Sequence, residues 1–266
     1  VLDETPNLAS PHDYVDGEFL SLPYLSWDNM APPAALNSSV HDMAQWIKMQ
    51  LNRGMLEGKR YFSEKVQWEM WSPQTPLDVS KTVSKIWKGR QFRAYGLGWQ
   101  LEDYRGLKLV SHGGGADGMI SKTCLVPEEN LGFVIFTNSI NALPSALMYQ
   151  LIDNYLNIEE RNNWNALYLN HHNSRKQSEK DRVARLKESR DATGKPAMAL
   201  EAYTGTYGGK LYGEAEVRKE AGQLLVDFLP ANQLVGDLKY HHANVFTIKL
   251  RNRPLPMGTV QFIPDK

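Results

Sequence analysis

The first clear hydrophobic period in the chain is helical. Val40, Met43, Ala44, Ile47 and Leu51 fall on one stripe; Ser39 with Asp42 three residues on opens it, and Gly54 closes it. A shorter helix is expected around Ser63–Met70, with Ser63 as its cap. Residues 1–37 are rich in Pro, Asp, Asn and Tyr, carry little period and read as irregular surface chain. Pro73, Pro76 and the basic stretch Lys81–Arg93 read as loop.

From Ala94 the pattern shortens to that of strands. Tyr95–Leu101, Leu107–Ser111, Met119–Val126 and Leu131–Thr137 are separated by short turns, the last pair by Pro127-Glu128-Glu129-Asn130, and predict an antiparallel meander. Leu147, Met148, Leu151, Ile152, Tyr155 and Leu156 then mark a helix with Pro144 in its first turn and a stripe wide enough to lie on the sheet. Ile158–Lys195 is a composition break, read as a charged, mostly solvated helical linker with Val183 and Leu186 as thin anchors. After Pro196 the strand signal returns at Tyr203–Tyr207, Glu214–Lys219, Leu224–Leu229, Val245–Leu250 and Thr259–Ile263, punctuated by Gly222, Pro230-Ala231-Asn232 and Pro254. The expected fold is therefore α+β: an antiparallel sheet flanked by helices over residues 1–157, a linker over 158–195, and a small all-β domain over 196–266.

Composition narrows the function classes. Thirty basic and thirty acidic residues cancel, which argues against a nucleic-acid footprint or a basic membrane face. No apolar run approaches the length of a membrane span. The single cysteine, Cys124, cannot form a disulfide within the chain, and at mid-strand it reads as packing rather than as a nucleophile. His171-His172 on the linker helix point in different directions with no third ligand nearby, and His241-His242 alternate along a strand, so neither pair reads as a metal site. The chain opens on Val-Leu-Asp-Glu without an initiator methionine or a signal peptide and stops just after a strand, which reads as a piece of something longer.

The chemistry-bearing stretch is Leu109-Val110-Ser111-His112-Gly113-Gly114-Gly115. An imidazole at the end of a strand, followed by backbone without Cβ atoms, suits an edge that a substrate approaches closely. The same letters also fit a glycine-rich bend with a solvated histidine. In an α/β-hydrolase an HGGG loop builds an oxyanion hole, but that fold needs a Gly-x-Ser-x-Gly elbow, and none occurs here.

In order along the chain, Leu36-Asn37-Ser38-Ser39-Val40-His41-Asp42-Met43-Ala44, Tyr95-Gly96-Leu97-Gly98-Trp99, Ser111-His112-Gly113-Gly114-Gly115 and Val134-Ile135-Phe136-Thr137-Asn138-Ser139 resemble the C-terminal part of the class C β-lactamase and penicillin-binding-protein-like serine hydrolases. The tail from about Leu200 resembles the lipocalin-like domain often appended to them. The resemblance implies that His112, Gly113 and Gly114 stand where the family has Lys-Thr-Gly, or His-x-Gly in its esterases and peptidases. His112 would then assist or anchor the substrate, and the Gly115 N–H would face the oxyanion. The departure from Lys-Thr-Gly implies ester or D-amino-acid peptide hydrolysis rather than efficient β-lactam hydrolysis. Asn138 and Tyr14 become candidate substrate contacts, against the alternatives of a strand-end turn and a surface aromatic; Trp27 and Asp117 are weighed the same way.

The family's other two motifs are missing. No serine here has lysine three residues on, and Ser139-Ile140-Asn141, Tyr155-Leu156-Asn157 and Tyr168-Leu169-Asn170 all follow His112 instead of preceding it. The expectation is a fragment of a serine hydrolase whose nucleophile lies upstream of Val1, which would leave a sheet edge unpaired. The expected partners are a small peptide, ester or amide and the missing N-terminal half of the catalytic domain, with no nucleic acid. No metal or organic cofactor is implied. The family expectation for location is periplasmic or secreted. The alternative is a catalytically inactive relative that binds a peptide or cell-wall fragment.

Overall fold

A computed structural model of the chain describes residues 7–15, 17–24, 27, 31–34, 36–87, 89–116, 118–211, 213–229, 231, 234–251 and 255–263. Asp117, the turn residues Pro230, Asn232 and Pro254, and both ends of the chain lie outside the described residues. The chain divides into two units, built mainly on residues 31–172 and 173–266.

The first unit is a helix–sheet–helix sandwich. A short ribbon, β1 (His12–Val15) and β2 (Glu18–Ser21), precedes α1 (Ala31–Ala34) and α2 (Val40–Leu51). The Ser39 Oγ accepts from the Asp42 N–H at 3.1 Å and donates to its carboxylate at 2.8 Å, satisfying donors that the first turn of α2 leaves free. A small hairpin, β3 (Met55–Leu56) and β4 (Lys59–Arg60), leads to α3 (Glu64–Met70), capped by Ser63 as expected.

Next come β5 (Thr75–Leu77), α4 (Lys81–Ile86), β6 (Arg93–Tyr95), β7 (Gln100–Tyr104), β8 (Leu107–Ala116), β9 (Met119–Val126) and β10 (Leu131–Thr137). They form one antiparallel sheet in the order β10-β9-β8-β7-β6-β5. Successive residues of a strand face opposite sides, so the sheet has two buried faces. Val110, Leu101 and Leu125 pack with Ile47 of α2 on one side. Leu109, Cys124 and Val126 pack on the other with Met148, Tyr149 and Ile152 of α5 (Leu143–Tyr155). Removing each such aliphatic side chain from water is worth about 1.5–3 kcal/mol. The helix α2 comes so close to β10 that a Cβ on Gly132 would stand 2.4 Å from the Ile47 Cγ2, so only glycine fits there.

Five expectations need correction here. Residues 1–37 are not all irregular, since His12–Val15 pairs with Glu18–Ser21 and Ala31–Ala34 is helical. Lys81–Arg93 is not all loop: Ser80 accepts from the Val83 N–H at 3.2 Å and starts α4. Pro76 sits on the edge strand β5, where its missing N–H costs no ladder bond. Tyr95–Leu101 is not one strand, because Gly96 to Trp99 turn back on themselves, the Gly96 N–H bonding the Trp99 carbonyl at 2.8 Å. The strand at Leu107 does not stop at Ser111 but runs through the glycines to Ala116, so they are not a bend.

The linker is helical, as α6 (Trp164–Glu188), but its start is core rather than solvated surface. The Trp164 indole is fully buried against Tyr149 and donates to Asp153 at 2.6 Å; Tyr104 donates to the other Asp153 oxygen at 2.5 Å. Both carboxylate oxygens of this buried Asp153 are thereby satisfied.

The second unit includes the second part of α6, from Asn173 to Glu188, and after a single-turn 3₁₀ helix at Leu200–Tyr203 it is all-β. Six strands, β11 (Gly205–Gly209), β12 (Gly213–Glu220), β13 (Gln223–Phe228), β14 (Val235–His242), β15 (Val245–Leu250) and β16 (Gly258–Gln261), pair in sequence order as an antiparallel meander. Tyr207 on the first strand meets Phe262, just past the last, with ring centroids 5.3 Å apart, so the sheet curls over its core. Tyr203 belongs to that core rather than to a strand: its ring is fully buried. The strand β14 is absent from the sequence reading.

Candidate active site

Two features of the sheet expose His112. The apolar half of β8, Leu109 and Val110, is clamped between the two helical layers, which fixes the direction of the strand. The turn at Gly96–Trp99 uses up the residues that would continue β7, so β7 begins at Gln100, opposite Ser111. From His112 onward β8 is paired only with β9, in the register His112–Thr123, Gly113–Lys122, Gly114–Ser121 and Gly115–Ile120. Half of the backbone polar groups of that stretch therefore face an open side of the ladder.

His112 is exposed at this opening. The Tyr95 hydroxyl and the His112 Nε2 lie 2.9 Å apart, and the rings meet edge to face at 6.0 Å. The pair can share a proton in either sense, with the phenol donating to the neutral imidazole or the imidazolium donating to the phenol oxygen. Tyr95 is the residue that sequence reasoning missed as a partner; strand register alone carries no signal for a contact that reaches around the end of β7.

The structure joins His112, Gly113, Gly114 and Gly115 on one strand but does not bring the remaining candidates to them. The Asn138 Nδ2 donates to the Ser10 carbonyl at 3.0 Å, and the His12 Nδ1 lies 3.3 Å from the Asn138 carbonyl, so this side chain holds residues 10–12 in place. The His12 N–H donates to the Gly118 carbonyl at 3.1 Å, fastening the same segment to the β8–β9 turn. Tyr14 groups with the second unit, where its exposed ring lies 4.6 Å from the Lys176 ammonium. Trp27 is half-buried. Cys124 is fully buried, and burial pushes its thiol up to about 12, so it is protonated and inert at neutral pH. Among the described residues no cluster of three His, Cys, Asp or Glu could hold a metal ion.

A sheet between two helical layers thus carries an imidazole and bare backbone at an open strand end. The β-lactamase family matches residues 3–152, and the chain belongs to it. Residues 189–266 match a domain of unknown function (DUF3471). Among named relatives, the unguisins hydrolase ungD of Aspergillus violaceofuscus is 27% identical over 162 residues, 58% of this chain and 29% of that protein. The unguisins hydrolase ungD' of Aspergillus campestris is 30% identical over 180 residues, 64% of this chain and 31% of that protein. The chain thus spans about three tenths of the length of these relatives. An octameric penicillin-binding protein homologue from Pyrococcus abyssi aligns over 98% of this chain and 51% of its own, at 17% identity and a TM-score of 0.47.

Proposed function

We propose that the chain is the portion of a β-lactamase-family serine hydrolase that carries the third-motif wall of the site, while the serine and lysine that form and resolve the acyl-enzyme lie in sequence outside these 266 residues. His112 anchors the substrate or assists proton transfer, Tyr95 positions it, and the Gly115 N–H stands toward the oxyanion, with Gly113 and Gly114 leaving room for the substrate backbone. The observation that carries this reading is the open side of β8 from His112 onward, next to the Tyr95–His112 contact.

Hydrolysis of a small ester or of an amide in a D-amino-acid peptide fits a third motif of histidine and glycines, and relatives named as hydrolases support hydrolysis in general. A periplasmic or secreted location and a lipocalin-like tail belong to the same proposal.

The absence of any Ser-x-x-Lys favours a second reading, a catalytically inactive relative that binds a peptide or cell-wall fragment. The test is fluorophosphonate labelling of the full-length parent, followed by turnover of a p-nitrophenyl ester and a D-alanyl p-nitroanilide. Labelling of a serine upstream of Val1, with His112→Ala lowering kcat/KM by about 10²-fold or more, is the expected result. A parent that takes no label belongs to the second reading. A labelled parent indifferent to His112→Ala removes His112 from the chemistry.

A further inference from the structure

The α5 face of the sheet holds a second polar site, on the side of β8 and β9 away from His112. Alternation along the strands puts Gly113, Lys122 and Glu102 on that face. There they border a cavity of about 210 Å³ whose wall includes Arg90, Arg93, Lys122 and Glu102, with Met148 and the Tyr168 ring. Three cations line it against one carboxylate.

That carboxylate is already taken. The Glu102 Oε1 accepts from the Arg90 Nη2 at 2.8 Å and from the Tyr149 hydroxyl at 2.6 Å, and its Oε2 lies 3.5 Å from the Arg93 Nε. Arg90 also donates to the Tyr149 hydroxyl at 2.9 Å and stacks over the Trp87 ring at 5.1 Å. Lys122 is different. Its ammonium has neither a hydrogen bond nor an ion pair among the described residues, although its stem is packed, with Cδ 3.6 Å from where a Cβ on Gly113 would stand. Burial lowers the pKa of this lysine, and the Glu102 charge partly opposes the shift. A lysine partly withdrawn from water, out of ion-pair reach of the one carboxylate that two arginines already hold, is costly, and an anion in the cavity lowers the cost.

We infer that this cavity binds a small oxyanion, a phosphate or a short carboxylate, its oxygens on the Lys122 ammonium with Arg93 beside it. The volume is that of roughly seven waters. The accessible surface of the cavity is mostly polar, so charge and not apolar area selects the occupant. The site is independent of the hydrolytic reading, because it uses neither His112 nor the open side of β8.

The test is calorimetric titration of the full-length protein with phosphate, acetate and benzoate at constant ionic strength. Saturable one-to-one binding of phosphate or acetate is expected, with benzoate no tighter than acetate. Lys122→Met should weaken it by about tenfold or more, the loss of one charge-assisted hydrogen bond, while Lys65→Met on the exposed side of α3 leaves it unchanged. Lys122→Gln serves in the same role should the methionine variant fail to fold by circular dichroism. Heats that never saturate, benzoate binding tighter than either smaller anion, or an affinity unaltered in the folded Lys122 variant would each overturn the assignment.

Discussion

Lys122 and Cys124 stand two residues apart on β9, face the same side, and respond to burial in opposite directions. The thiol, raised from 9.0 to about 12, keeps its proton in the folded chain where the unfolded chain has lost it. The folded state then binds more protons than the unfolded one, so stability is full below pH 9 and is lost as pH rises toward 12, at up to about 1.4 kcal/mol per pH unit. Burial also raises Tyr104, Tyr149 and Tyr168 above 10.0, which adds a fall of the same sign at higher pH. Burial lowers Lys122 and Lys108 below 10.5, which adds a rise with pH over an overlapping range. The part that belongs to Cys124 is therefore the difference in urea unfolding between the unmutated chain and Cys124→Ala: the variant starts about 1 kcal/mol lower from its smaller side chain, and the gap narrows as pH rises from 9 to 10. The packing role of Cys124 was legible in the sequence, since its neighbours at mid-strand are apolar. The Tyr95–His112 contact was not, because it depends on where β7 begins, and a glycine turn sets that.

At the scale of elements, local signals were reliable wherever a cap or a turn residue agreed with the period. Ser39 and Ser63 open helices, Pro144 lies in the first turn of α5, and the β9–β10 hairpin turns at Asn130 in the left-handed region. Reading failed where packing overrode composition. In β14, inward positions are filled by Gly236 and by His241, the latter reached through a register shift between Tyr240 and His242, so the apolar alternation that marks a strand is interrupted. The start of α6 looked like polar linker because the burial of Trp164 depends on Asp153 of another helix. Element packing also yields a mutational test. Gly132→Ala forces its new methyl into the Ile47 side chain, so α2 must move away from β10. A loss of about 1–3 kcal/mol in urea unfolding is expected, and Ile47→Leu beside it, which removes the Cγ2 branch that the new methyl meets, should recover part of that loss.

For the whole molecule, one edge of the first sheet is β10. Among the described residues it is laddered only to β9, and its run Leu-Gly-Phe-Val-Ile-Phe-Thr carries no charge and no proline to discourage pairing. Beside it, Tyr155, Leu51 and Phe133 border a groove of about 440 Å³, and Phe136 is 37% exposed. If the upstream strand of the proposed full-length protein is absent, the chain of 266 residues should self-associate through this edge with rising concentration, and Phe136→Lys should shift the light-scattering mass toward the monomer. The unmutated 266-residue chain staying monomeric at high micromolar concentration would show that the edge is protected.

One crossing within the sheet ties two neighbouring strands together. The aliphatic stem of Lys122 passes beside the bare Cα of Gly113, where a Cβ would stand 3.6 Å from the lysine Cδ, an ordinary contact. A side chain at 113 would therefore rest on that stem without displacing it, and a bulkier residue at either position would be felt across the ladder by the other.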